Sequence, residues 1–387
     1  MEGLQSNEIV YDLLLSQAWS GDPIDTNHYF KSWAAARYSS SKRPASIYAA
    51  WETVRTTVYD NTNLTLMLSV PKSIIELIPR TTDMANIIGI LGTKLTYEPA
   101  TMVTAWKQLY QAGLQDTSLF NNSAYQYDIV DWTRQVLSNA FIPIYEKILQ
   151  IYNMPNQTAE TRATQLRTQE EQLTGLLLSL DLVLSSNKNF RLSTWLSAAR
   201  ASAPHPAYAD FFEYEAHNQI TIWGPSGQLI DYASKVWSGL MKTYHLRRWQ
   251  MFIDDLVATE PANYDETEFQ DVLLPCELSL ANSTGAKLDE SDEELDVGDI
   301  IKRTVEEWSE IFALQKHLLK CLDILDCGLH VIASINGSIS LMPCNHRMRI
   351  QFGNLFETYK PTTAPFRRSC FPQEWMHIIV HNVAGDN

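Results

Sequence analysis

The sequence is short of several things that would point to common classes of protein. Apolar runs are brief, as near Ile74–Leu77, far below the roughly 20 residues a spanning helix needs. The stretch Cys327–Met342 is broken by His330, Asn336 and several serines, so no membrane association is expected. Cysteines number five, at 276, 321, 327, 344 and 370. An odd count in a long chain excludes a simple disulfide framework. Cys321, Cys327, His330, Cys344 and His346 contain no C-x2-C pair and fit no common zinc spacing, so no metal is expected. Basic residues are scarce, 30 Lys and Arg against 45 Asp and Glu, for a net charge of −15. Such a surface repels a polyanion, which excludes nucleic acid as a partner. Gly89–Lys94 lacks P-loop spacing and no G-x-S-x-G elbow occurs, so no cofactor is expected. Met1-Glu2-Gly3-Leu4-Gln5 offers neither a basic nor an apolar signal-peptide region, so any targeting information is expected upstream.

Aromatic residues are abundant, with 11 Trp and 17 Tyr. Flat rings stack on the apolar faces of sugars, but they also fill cores, and the second use is the commoner one for any single ring. Asn-X-Ser/Thr triplets at Asn63, Asn121, Asn156, Asn282 and Asn336 suit a secreted or lysosomal glycoprotein.

Apolar residues recur with a period near 3.6 over most of residues 1–312, and period-two alternation is nearly absent there. Ile47, Trp51, Val54 and Val58 follow Pro44 at helical spacing, and Met102, Trp106 and Leu109 follow Pro99. The clearest stripe is Val130, Thr133, Leu137, Ala140, Ile144, Ile148 and Ile151, with a kink expected at Pro143. Further runs cover about 160–185, 190–203, 206–220, 232–258 and 297–312. The pattern predicts an all-α antiparallel bundle or array. Trp223-Gly224-Pro225-Ser226-Gly227 is expected to interrupt the helices, with Asp231 and Tyr232 starting the next one. Residues 285–299 are acidic and predict a solvated linker. From about 313 the helical pattern fades, and Ser334–Met342 and Arg347–Phe352 hint at short strands. The tail 313–387 is expected to be an unstructured extension or a misread frame.

Several segments resemble, in order, motifs of glycoside hydrolase family 89, the α-N-acetylglucosaminidases. Glu2-Gly3-Leu4-Gln5-Ser6-Asn7-Glu8-Ile9-Val10-Tyr11 is similar to P-E-G-x-x-x-N-E-V-V-Y. Trp33-Ala34-Ala35-Ala36-Arg37-Tyr38 resembles A-x-R-R-Y, with Ala36 in place of the first Arg. Ala50-Trp51 through Val58-Tyr59 resembles A-W…S-V-Y-N, and Tyr127 to Gln135 resembles Y-D-L-V-D-x-T-R-Q. Gln219 to Pro225 resembles Q-L-T-L-W-G-P, Asp231 to Lys235 resembles D-Y-A-N-K, and Arg248-Trp249 closes the series. Each motif is weak alone, and their shared order is the signal.

The resemblance implies that residues 1–20 end a catalytic (β/α)8 barrel and that 21–312 form the family's C-terminal helical domain. Family chemistry is retaining hydrolysis of terminal α-linked N-acetylglucosamine by two glutamates. Glu2 matches the nucleophile by motif position, while the acid/base glutamate belongs to an upstream barrel loop, so the chain alone is expected to be inactive. Glu8 matches a second family glutamate and suits the first turn of a helix, where it opposes the positive end of the dipole. Substrate contacts carried over by motif are Trp223, Leu229 and Tyr232, which would equally suit a packed helix–turn–helix corner. His217 stands where the family usually has Arg, and Glu215 where it often has Asn. Asp128, Asp131 and Arg134 sit at i, i+3 spacing and predict a local ion pair. The implied partner is a glycan. An exposed barrel-facing surface predicts self-association, and the family is secreted or lysosomal. The other reading is a non-catalytic carbohydrate-binding or protein-interaction module.

Overall fold

A computed structural model describes residues 6–39, 44–60, 72–88, 92–285 and 295–312, with the backbone of 330–334, 338–342 and 348–351. The chain divides into two units, Met1–Glu307 and Trp308–Asn387.

The first unit is helical. Its described helices are α1 (Glu8–Ala18), α2 (Thr26–Tyr38), α3 (Ala45–Thr56), α4 (Pro99–Gln115), α5 (Ser123–Tyr152), α6 (Ala159–Ser185), α7 (Leu192–Ala201), α8 (Ala209–Gln219), α9 (Leu246–Ala258), α10 (Glu266–Ala281) and α11 (Val297–Glu307). Starts are written in the sequence. Asn122 Oδ1 accepts from the amides of Ala124 and Tyr125, both at 3.0 Å, and so opens α5. Asp25, Thr158 and Asp265 cap α2, α6 and α10 in the same manner. Pro99 occupies the first turn of α4, where its missing N–H costs nothing.

Helices adjacent in sequence pack together: α2 on α3, α3 on α4, α4 on α5, α5 on α6 and α7 on α8, while α9 and α11 close on α6. This is the expected all-α array. Helix α5 runs unbroken through Pro143, and five of its seven predicted stripe residues are buried, with Ala140 and Ile144 half-buried. Fully burying a large apolar side chain contributes about 1.5–3 kcal/mol, and Trp106, Trp249, Phe141 and Phe252 lie at this centre. Most rings are therefore core. Trp51 meets Trp33 at 4.8 Å and Trp132 at 5.1 Å, edge to face. Among the described residues Trp19, Trp195, Tyr208 and Phe211 reach solvent.

Several boundaries differ from those the sequence pattern suggests. Residues 232–239 are not helical: a single π-helical turn, Met241–His245, leads directly into α9. The last run likewise stops being helix at Glu307, with turns to residue 312. Helix α10 lies in a stretch whose pattern predicted none, because Pro275 interrupts it and Glu277 occupies a buried position. Helix α11 starts at Val297, where the run 297–312 was expected to begin, so the last residues of the acidic stretch 285–299 are helical.

In the second unit β1 (His330–Ser334), β2 (Ser338–Met342) and β3 (Met348–Gln351) form an antiparallel meander. The register pairs Ala333 with Ile339 and Ile339 with Ile350. Of these, β2 falls within Ser334–Met342 and β3 within Arg347–Phe352, the stretches that hinted at strands. Cys321, Cys327, Cys344 and His346 lie outside the described residues. Among the described residues no helix is long and apolar enough to cross a membrane.

Candidate functional site

Helix α8 ends at Gln219, and the chain then turns through residues 220–233. Asn218 governs the turn. Its carbonyl accepts from Trp223 N at 2.7 Å, and its side-chain Oδ1 accepts from Gly224 N at 2.8 Å. That arrangement needs left-handed backbone, with φ +35° at Trp223, +136° at Gly224 and +66° at Asp231. Gly224 meets this requirement because it has no Cβ to disfavour such a φ. A tryptophan at positive φ is strained, and strain of about 1–3 kcal/mol persists only where surrounding structure enforces it.

The enforcement comes from below. Asp231 N donates to Thr221 O at 3.1 Å, closing the corner. The Asp231 carboxylate takes both arms of the Arg248 guanidinium, each at 2.8 Å, and also accepts from Ile78 N at 2.8 Å. Asp231 therefore caps no helix. It sits in a turn as the receptor for a guanidinium on α9, which corrects the expected helix start. Arg248 Nε lies 3.1 Å from Glu277 Oε1 on α10, a charge contact without a directed hydrogen bond. Tyr244 donates to the same Glu277 oxygen at 3.2 Å and presents its ring face 4.7 Å from the guanidinium. All three charged groups are almost wholly buried. Burial raises the Glu277 carboxyl, with Arg248 acting against it. Burial, then Arg248, pushes His245 well below the ordinary histidine range, so it stays neutral.

On this base Trp223 and Tyr232 come together, ring centroids 5.2 Å apart and planes at 73°. The pair makes an L-shaped aromatic wall, half-buried, with Leu229 beside it at 50% exposure. Such a wall can stack one face of a sugar ring and offer a phenol to its hydroxyls. Glu2 lies outside the described residues. Glu8 opens α1 on the surface. His217 is buried, its Nδ1 has no hydrogen-bond partner among the described residues, and burial lowers its pKa while Glu213 acts against the shift. It therefore offers the corner no cation of the kind an arginine would. Glu215 points to the surface on the outer face of α8.

The N-terminal motifs build a second buried knot. Arg37 grips Asp128 with Nε at 2.6 Å and Nη2 at 2.8 Å, and Tyr38 donates to Asp128 Oδ2 at 2.8 Å. Trp51 Nε1 in turn donates to Tyr38 Oη at 2.8 Å. Burial pushes the Asp128 carboxyl up to about 6, against the hydrogen bonds from Arg37 and Tyr38. The predicted local pair forms only between Asp131 and Arg134, at 2.7 Å. Asp128 instead serves a guanidinium 91 positions earlier in the chain. Ser6 N donates to Tyr127 Oη at 3.0 Å, so the first motif is tied to the same knot. No cluster of three or more His, Cys, Asp or Glu suited to a metal occurs among the described residues.

Residues 29–307 match the family described as the alpha-N-acetylglucosaminidase C-terminal domain. The chain belongs to that family. As an alpha-N-acetylglucosaminidase C-terminal domain it is 34% identical over 257 residues to the human alpha-N-acetylglucosaminidase, covering 66% of this chain and 32% of the relative. A family 89 glycoside hydrolase from Clostridium perfringens, in complex with 2-acetamido-1,2-dideoxynojirmycin, shares the fold at TM-score 0.65 and 24% identity. That likeness covers 78% of this chain and 34% of the solved one. The same bacterial protein carrying two Glu→Gln substitutions, with its substrate GlcNAc-alpha-1,4-galactose, superposes at TM-score 0.63 and 23% identity. The chain thus spans about a third of the length of these relatives. In alpha-N-acetylglucosaminidase C-terminal domain terms, the motifs around Arg37, Asp128, Asp231 and Arg248 are scaffold: they bond to one another in the interior.

Proposed function

We propose that this domain supplies the Trp223–Tyr232 wall of a site that cleaves terminal α-linked N-acetylglucosamine, in company with a (β/α)8 barrel that carries the acid/base glutamate. The observation that carries the reading is the perpendicular Trp223–Tyr232 pair, held on a strained corner by the buried Asp231–Arg248 fork. The solved relative's complex with GlcNAc-alpha-1,4-galactose supports the choice of glycan. Glu2 is the proposed nucleophile: its carboxylate attacks the anomeric carbon while the acid on the barrel protonates the leaving oxygen. Without that acid the rate falls by a factor of about 10²–10⁴ before positioning is counted. The chain alone should therefore show no turnover of an aryl α-N-acetylglucosaminide. Joined to a family 89 barrel it should turn over, and Trp223→Ala should lower kcat/KM by about 3–10-fold, the worth of one aromatic contact. Hydrolysis by the chain alone that vanishes in Glu2→Gln would overturn the need for a barrel.

A further inference from the structure

Helix α1 is lightly seated. Of its 11 residues only Ile9 is buried, and Asp12 accepts from the Tyr29 hydroxyl at the surface. The helix starts after Asn7, whose side chain makes no capping bond and whose carbonyl accepts from Val10 N at 3.0 Å. Just ahead of it Ser6 holds left-handed backbone, with φ +66°. A residue with a Cβ keeps that conformation only where something outside the segment enforces it.

The enforcing group stands 121 positions away: Tyr127 Oη accepts from Ser6 N at 3.0 Å. This acceptor is itself rigid. Tyr127 belongs to α5, and its ring lies 4.8 Å from that of Phe190 and 5.8 Å from the Arg37 guanidinium. Asp128, the next residue, grips that guanidinium with both oxygens, and Trp33 packs on it at 4.8 Å. Burial raises the phenol well above its ordinary range, against the Ser6 hydrogen bonds, so the hydroxyl keeps its proton. Ser6 follows Glu2 by four residues. Whatever path those residues take, the tether therefore lies within about 14 Å of the Glu2 backbone. Gly3 in this span adds backbone freedom, so a fixed point beyond it limits where Glu2 can stand. A reacting group has to be held to within about 0.5 Å.

We infer that Tyr127 is a positioning residue for Glu2. Through the Ser6 amide it pins the end of the segment that bears the nucleophile, so the helical domain shares with the barrel the task of placing that carboxylate. The inference rests on the reading of Glu2 as nucleophile and adds to it a residue that acts only through Ser6.

Two measurements test it. In the chain as it stands, Tyr127→Phe removes one hydroxyl and keeps the ring. Amide hydrogen exchange should then find Ser6 exchanging at least about tenfold faster, with the melting temperature within about 2 °C of the parent. Joined to a family 89 barrel, the variant should react more slowly with an activated fluoroglycoside of N-acetylglucosamine. A bond forms between the Glu2 carboxylate and the anomeric carbon as the C–F bond breaks and fluoride leaves, so no proton from the barrel is needed. The labelling rate should fall about 10–100-fold, since a displacement on the order of 1 Å costs up to about 10²-fold, while mass spectrometry finds labelling complete in the end. A smaller labelled fraction formed at the parental rate would mark a merely structural defect and overturn the inference. So would a Ser6 amide indifferent to the substitution. Labelling that persists in Glu2→Gln would bring down the nucleophile assignment itself, a result no behaviour of Tyr127→Phe can mimic.

Discussion

Replacing Arg248 with Met tests whether the corner is held by charge. Arg248 donates two hydrogen bonds to Asp231 and lies 3.1 Å from a Glu277 oxygen, all with side-chain exposure of 4% or less. Methionine fills most of the volume but leaves two buried carboxylates facing each other without a cation. Breaking a buried pair from one side costs about 3–5 kcal/mol, a large share of the roughly 5–15 kcal/mol that holds a domain together. At this size each kcal/mol moves the melting temperature by roughly 2 °C, so urea and thermal unfolding should both register the change plainly. The pH dependence carries a signature of its own. An orphaned buried carboxyl is tolerated better once protonated, so the deficit should shrink from pH 8 to pH 5. Removing all three charges together, Arg248→Met with Asp231→Leu and Glu277→Met, should recover much of the loss, because an apolar cluster of similar volume carries no desolvation penalty. A single Arg248→Met variant within about 1 kcal/mol of the parent at every pH would refute the reasoning.

Gly113 faces Phe120 so closely that an added Cβ would sit 2.8 Å from the ring and against Tyr125 Oη, so Gly113→Ala should cost about 1–3 kcal/mol by overpacking in urea titrations. His217 has its folded pKa lowered by burial, so the unfolded chain binds the proton more readily. Its contribution is complete above the unfolded value and is lost as pH falls through the folded one. The slope of stability between pH 7 and 5 should be shallower in His217→Gln. Helix α1 exposes Leu14 and Leu15, and Trp19 directly after it is 91% exposed. Light scattering should show the chain self-associating, and Leu15→Lys with Trp19→Lys should move it toward the monomer; a monomeric parent chain would contradict this.

Long, strongly periodic segments were the legible ones: α5 and α6 announce themselves through apolar spacing and capping residues. Helix α10 did not, since a proline in its middle and a glutamate on its buried face disguise the period. Residues 232–239 misled in the opposite direction. Their apolar spacing continues that of α9, but Asp231 is committed to left-handed backbone and to Arg248, which no local pattern reveals. The candidate site divides in the same manner. Ordered motifs named Trp223 and Tyr232, and the fold brings the two rings together. Nothing near Asp128 discloses a partner 91 positions away, because pairing across helices is decided by packing.

The Asp231 fork has a consequence for biosynthesis. Its carboxylate is bonded to the amide of Ile78 and to Arg248, and Arg248 in turn faces Glu277. A chain emerging from the ribosome at about 5–20 residues per second presents Ile78 long before either charge that completes the cluster. Until α9 and α10 have emerged, the Trp223 turn has only its bonds to Asn218 and Thr221 and the Ile78 amide to hold its left-handed backbone, without the guanidinium. The aromatic wall is thus among the last features of this domain to be set, and a nascent chain stalled before Arg248 would carry its helices α2 to α6 without it.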